Sequence, residues 1–162
     1  MPAGRTSSGE YGEELQAKIV EAGVAKPEEL YGCSPEEIHD LQVRTGVVLP
    51  KAYRGFLEVM GRGAGAFFQG TDIYYQSLPI SRDEVQEMMD EDEGASGFKL
   101  PDNAFVFASH QGYSFLFLVA EEGVDDPPVW VYEEGEGEPR EVADSFTKWF
   151  AAAVRDHKEL EE

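Results

Sequence analysis

The spacing of apolar residues changes near Gly61, from a helical period to an extended one that is later interrupted by one helix and closed by another. Before Gly61 the apolar positions follow a helical period: Tyr53, Phe56, Leu57 and Met60 stand at i, i+3, i+4 and i+7. Beyond it they gather into short aromatic and β-branched runs, at Phe67-Phe68, Ile73-Tyr74-Tyr75, Ala104 to Ala108, Tyr113 to Val119 and Val129 to Glu133. A doubly wound α/β fold requires regular alternation of strand and helix, which is not the order here. The expected class is α+β, a single domain with a mainly antiparallel sheet flanked by helices, a helical N-terminal part and a closing C-terminal helix.

Caps and stops set the element boundaries. A first helix is predicted from Tyr11 to Ala22, with Leu15 and Ile19 on one face and Gly23 as its stop. In Ser34-Pro35-Glu36-Glu37 the serine caps, the proline takes the first helical position and Glu37 completes a capping box, so a second helix should run to Thr45 and end at Gly46. Ser81-Arg82-Asp83-Glu84 repeats the box and opens a helix with Val85, Met88 and Met89 inward. Carboxylates at that helix's C-terminus oppose its dipole, so Asp90 to Gly97 is expected to fray into an exposed, mobile segment. The Phe67-Phe68 and Ile73–Tyr75 runs read as a strand pair or meander. Three further strands follow, separated by a Gln111-Gly112 turn and an acidic loop at Pro127-Pro128. The run Phe115 to Ala120 is far shorter than the ~20 residues that cross a bilayer, and suits a central strand covered on both faces. Asp144 or Ser145 caps the last helix, whose stripe is Phe146, Trp149, Phe150, Ala153 and Val154. Tyr53, Phe56, Leu57, Phe115, Phe117, Trp130, Phe146 and Phe150 are expected to converge on one core. The domain is placed at residues 11–155, between a disordered extension at 1–10 and a solvated tail at 156–162.

The chain has 162 residues, enough for one core, and a formal charge of −20. That charge is uneven: between Asp83 and Pro139 there are sixteen Asp or Glu and one basic residue, Lys99. Such a surface repels phosphate, because nucleic-acid binding works through Lys and Arg displacing counterions, so neither nucleic acid nor anionic membrane is an expected partner. The N-terminus shows no apolar signal region, and the lone Cys33 forms no internal disulfide, so a cytoplasmic location is expected.

Searches for chemistry fail for physical reasons. Gly61-Arg62-Gly63-Ala64-Gly65-Ala66 has a loose dinucleotide-loop pattern, but it leaves a helix and enters an extended region, where no helix N-terminus meets the phosphates. Asp90-Glu91-Asp92-Glu93-Gly94 begins like a calcium loop, yet Ala95 stands at the sharp-turn glycine and Pro101 at the bidentate glutamate. Cys33 precedes a capped helix, a place that favours a thiolate, but a single Cys at a loop edge is more often inert than catalytic. Of His39, His110 and His157, only His110 sits at a turn that presents a side chain. No catalytic residue, cofactor or metal is assigned, and the chain is not expected to be an enzyme.

Ile38-x-x-Leu41, then Thr45-Gly46-x-x-Leu49-Pro50-x-x-Tyr53-x-x-Phe56-Leu57 and the glycine cluster, resemble the N-terminal signature of the SUKH superfamily, which holds fungal regulators of cell-wall synthesis and bacterial immunity proteins against toxins. The resemblance continues through Leu100 to Ala108, His110-Gln111-Gly112-Tyr113-x-Phe115, Val129-Trp130-Val131-Tyr132 and Ser145-Phe146-x-x-Trp149-Phe150, covering Ser34 to Val154. It implies an α+β scaffold without catalytic residues that binds a partner on a concave surface. Glu87 to Gly97 and the segment before Glu28 depart from the family's shorter pattern. The favoured expectation is an immunity protein that neutralises a toxin domain, a nuclease for choice, whose basic cleft is met by dense carboxylates. The alternative is a cytoplasmic regulatory or scaffold protein of the same fold with several partners. The expected contact residues are Asp90, Glu91, Asp92, Glu93, His110, Tyr113, Glu133 and Glu134, and the expected partner is a basic protein.

Overall fold

The computed structural model describes residues 7–68, 71–78 and 81–161. The Ser7 hydroxyl accepts the Glu10 amide and opens α1 (Ser8–Glu21), one turn earlier than the apolar stripe suggests. A short strand β1 (Leu30–Tyr31) precedes α2 (Pro35–Thr45), whose capping box closes both ways: the Glu37 amide donates to Ser34 Oγ at 3.2 Å and the Ser34 amide to Glu37 Oε1 at 2.9 Å. Gly46, at φ 71°, supplies the left-handed stop. Next come α3 (Lys51–Met60), β2 (Gly63–Ala64), β3 (Thr71–Asp72) and α4 (Arg82–Glu91), the last opened by the predicted Ser81–Glu84 box. The remainder is β4 (Ala104–His110), β5 (Ser114–Val119), β6 (Val129–Glu133), β7 (Arg140–Ala143) and α5 (Phe146–Glu161). The class is α+β, as the change of period implies.

Strands β3 to β7 form one antiparallel sheet in sequence order, with β5 at its centre. Strand side chains alternate between faces, so the apolar run of β5 supplies both. Phe115 and Phe117 point one way, into a core with Val85 and Met89 of α4, Tyr132 and the flanking Trp130. Leu116 and Leu118 point the other way, toward Tyr53, Phe56 and Leu57 of α3 and Phe146 and Phe150 of α5. The eight residues expected in one core therefore occupy two, because a sheet separates them. Helix α1 belongs to the larger core, and there Gly12 and Gly55 bring α1 and α3 into backbone contact: a Cβ on Gly55 would lie 2.6 Å from the Gly12 nitrogen.

Three readings are corrected. The Phe67-Phe68 and Ile73–Tyr75 runs are not strands; among the described residues of this stretch only Thr71 and Asp72 join the main sheet, pairing with His110 and Ser109. These aromatics instead plug the larger core from a loop: Phe67 meets Phe150 edge-on at 5.7 Å, and Tyr74 stacks on Phe56 and donates its hydroxyl to the Phe67 carbonyl. Strand β7 carries no alternating apolar signal, since Arg140, Glu141 and Val142 are exposed on an edge. Helix α5 continues to Glu161, past Asp156 where the tail was expected, and α1 takes in Ser8 to Glu10 of the expected extension; residues 1–6 lie outside the described residues.

Candidate functional site

One end of the sheet collects most of the residues singled out from sequence. Three residues, Gln111-Gly112-Tyr113, connect β4 to β5: Gln111 at φ 55° and Gly112 at φ 79° are both left-handed, and the Tyr113 amide donates back to the His110 carbonyl. It presents His110 and Tyr113 together, rings edge to face at 6.3 Å, with Tyr113 43% exposed. The Glu134 amide donates to the Tyr113 carbonyl at 2.9 Å, so the acidic β6–β7 turn is tied to this hairpin.

A register shift in β4 between Val106 and Ala108 decides where His110 points. Phe107 and Ala108 both face the larger core, so the alternation slips by one and His110 is turned to the α5 side of the sheet. Without that bulge it would point toward α4. Nothing in the residues Phe105-Val106-Phe107-Ala108 signals it.

The acidic segment after α4 is not a free strand of charge. Asp92 Oδ2 accepts the Tyr132 hydroxyl at 2.7 Å and the Gly135 amide at 3.0 Å, while Oδ1 accepts the Gly94 amide at 3.2 Å. The Gly135 amide first, then the Tyr132 hydroxyl, hold this carboxyl below its ordinary range. Burial, helped by the bond to Asp92, pushes the Tyr132 hydroxyl up. Three residues on, Ala95 is fully buried in the smaller core, and Gly94 touches the β6–β7 turn so closely that a Cβ there would lie 3.1 Å from Gly137 Cα. The expectation of a wholly exposed segment is corrected: Asp92 fastens it and Ala95 anchors it, while Glu91 and Glu93 are exposed. Asp90 accepts from Gln86 at 3.0 Å and lies 3.7 Å from Lys99 Nζ.

The eight candidates thus divide. Asp92, Tyr113 and Glu134 come together at the sheet end through two adjacent backbone donors, the Gly135 amide to Asp92 and the Glu134 amide to the Tyr113 carbonyl. His110 and Glu133 belong to the α5 face, in the cross-strand row Thr71, His110, Ser114, Glu133. Glu133 accepts from Arg140 Nη2 at 2.6 Å.

That row borders a groove of about 880 Å³ between α5 and the far strands. Its floor is Leu116, Val131 and Val142; its roof is Trp149, Ala152 and Ala153. Sequence reasoning missed it, although the alanine run Ala151-Ala152-Ala153 is the signal: side chains this short cannot fill the space beneath a helix. One wall is Phe68, held at φ 60° with its ring stacked on Trp149 at 5.5 Å and 5°. A bulky residue in that region costs roughly 1–3 kcal/mol, which the stack helps offset.

Elsewhere the chemistry is inert or structural. Cys33 is buried and its thiol is pushed up to about 11, chiefly by burial and against the pull of Arg62, the reverse of a nucleophile's environment. His39 is exposed on α2, and His157 packs edge-on against Phe67 at 5.5 Å. Arg82 donates to the Leu100 and Pro101 carbonyls, each at 2.6 Å, and so pins the approach to β4. Among the described residues no three His, Cys, Asp or Glu side chains converge as a metal site, and no helix is long and apolar enough to cross a membrane.

The family model described as SMI1 / KNR4 family (SUKH-1) matches residues 32–152, from the end of β1 into α5. No curated protein matches the chain.

Proposed function

Because the chain belongs to the SMI1 / KNR4 family (SUKH-1), whose members are immunity or regulatory domains, we propose that it is an immunity protein that binds and neutralises a basic toxin domain, a nuclease by class. One observation carries this reading. Asp92 reaches across 43 positions of sequence to Gly135 and brings two carboxylate runs, 90–93 and 133–138, to one end of the sheet. Like charges repel, so dispersal would be the default for residues that serve only solubility. Here three hydrogen-bond donors are committed to a single carboxylate that keeps them adjacent.

A surface of this kind steers a cationic partner and speeds its capture, and a nuclease must expose cations to hold phosphate. His110 and Tyr113 lie beside the carboxylates as directed contacts, where a rigid aromatic gives contact area at low entropy cost. The protein acts in the cytoplasm that must be protected, and it acts by occupancy rather than by catalysis.

The test is affinity capture from the native cytoplasm at low and high salt, followed by co-expression of the captured protein with and without this chain. One tight, salt-sensitive partner whose toxicity is relieved is the expected result. Several weak partners with no toxicity would replace the immunity reading with a regulatory scaffold.

A further inference from the structure

We propose that the groove between α5 and the far strands receives a protein segment in which an apolar side chain stands next to an Arg or Lys; this rests on reading the chain as a partner-binding protein. The apolar half of the requirement comes from the floor and roof. Val131 is nearly covered by the sheet, but Val142 is 44% exposed and faces Ala152 and Ala153 across open space. A volume of about 880 Å³ is that of a site for several side chains rather than a packing defect.

The cationic half comes from charge. Two carboxylates, Glu133 and Asp156, line the groove with one guanidinium, Arg140, which already donates to Glu133 at 2.6 Å. Asp156 lies 3.9 Å from the exposed Arg155, a residue outside the lining. His110 and His157 complete the polar rim. The groove lies next to the acidic sheet end, because its Glu133 is followed directly by Glu134, whose amide holds the β4–β5 turn. A cation arriving along the acidic surface passes to Glu133 and Asp156, while its apolar neighbour lies over Val142. The wall is preset for this: Phe68 is locked by its stack on Trp149, so little ordering remains to be done on binding.

The experiment titrates the full chain, labelled with nitrogen-15, with a capped hexapeptide alternating Leu and Arg, and with its counterpart in which Glu replaces Arg. The cationic peptide should shift the amides of Leu116, Val131, Val142, Ala152 and Ala153 and the Trp149 indole, saturably, and bind at least about tenfold more tightly than the acidic one. Ala152→Trp fills the groove and Val142→Lys places a like charge in it; each should weaken the peptide by about tenfold or more while the remaining spectrum is retained. Both sites are on the protein surface, so loss of fold in one leaves the other as the test. Shifts confined to the carboxylate turns, equal response to both peptides, or no saturable response at millimolar peptide would overturn the proposal. A captured toxin that binds Ala152→Trp and Val142→Lys as tightly as the parent would also overturn it, with the immunity reading intact. Groove binding as described, from a chain that relieves no toxin, supports the groove and removes the immunity reading instead.

Discussion

The two faces of the sheet are closed by different chemistry. On the α1, α3 and α5 side, Tyr53, Phe56, Phe107, Phe146 and Phe150 are fully buried, and their rings meet at centroid distances of 5.5 to 6.2 Å, most of them edge on. On the α4 side a smaller set, Val85, Met89, Ala95, Phe115, Phe117 and Tyr132, is sealed at its edge by a carboxylate. The first face is a scaffold whose stability comes from apolar area. The second carries the segment that departs from the family pattern, and its edge is fastened by hydrogen bonds to the Asp92 carboxylate. The proposed contact surface thus lies where the packing is thinner, on a segment fastened by Asp92 and anchored by Ala95 rather than built into the main core.

The comparison breaks most readily in the cores. Phe56→Ala removes a ring from a site with no exposure and should cost about 3–5 kcal/mol in urea denaturation. A loss below ~1 kcal/mol would contradict the burial. Phe117→Ala should cost about 3–5 kcal/mol through the other core, and because the sheet lies between the two rings, the double variant should be additive to within about 0.5 kcal/mol. Coupling well beyond that would mean one core rather than two.

The staple is the next level down. Tyr132→Phe leaves the ring packed and removes only the donor to Asp92, with an expected loss of about 1 kcal/mol. Asp92 titrates below its unfolded value, so its contribution is present above about pH 3.9 and lost as the pH falls through the lower folded value. Acid titration of stability should therefore fall more steeply for the parent than for Asp92→Asn in that window. Parallel acid limbs would show that the carboxylate is not holding the segment.

How legible all this was in the sequence differs by the physics involved. Capping boxes are local, so Ser34–Glu37 and Ser81–Glu84 could be read directly and both helices start where expected. The Gln111-Gly112 turn and the central place of β5 were legible for the same reason. Phe67, Ile73 and Tyr74 misled because a buried aromatic in a loop has the composition of a strand, and only tertiary packing distinguishes the two. The site was half legible: charge density marked the region, but charge alone cannot say which carboxylate is structural. The Asp92 staple joins residues far apart in sequence, and the β4 bulge that aims His110 into the groove has no composition of its own.

The smallest effect on the fold should come from carboxylates whose side chains stand exposed at this end of the sheet. Glu91 and Glu93 are exposed on the fastened segment, and Glu134, whose backbone amide donates to Tyr113, stands at the turn to which that segment is tied. Replacing the three with Gln should leave the unfolding midpoint unchanged, since neither packing nor the staple is touched. If this surface captures a basic toxin, the same change should slow association and flatten its salt dependence with little effect on dissociation, because steering acts before contact. His110→Ala and Tyr113→Ala should show the opposite balance, with dissociation faster and the salt slope kept, because they act as contacts after docking. Stopped-flow association at two salt concentrations and dissociation by dilution separate the two classes. Unchanged rates for all of these variants would leave the carboxylates as a solubility device and place the partner's footprint elsewhere on the domain.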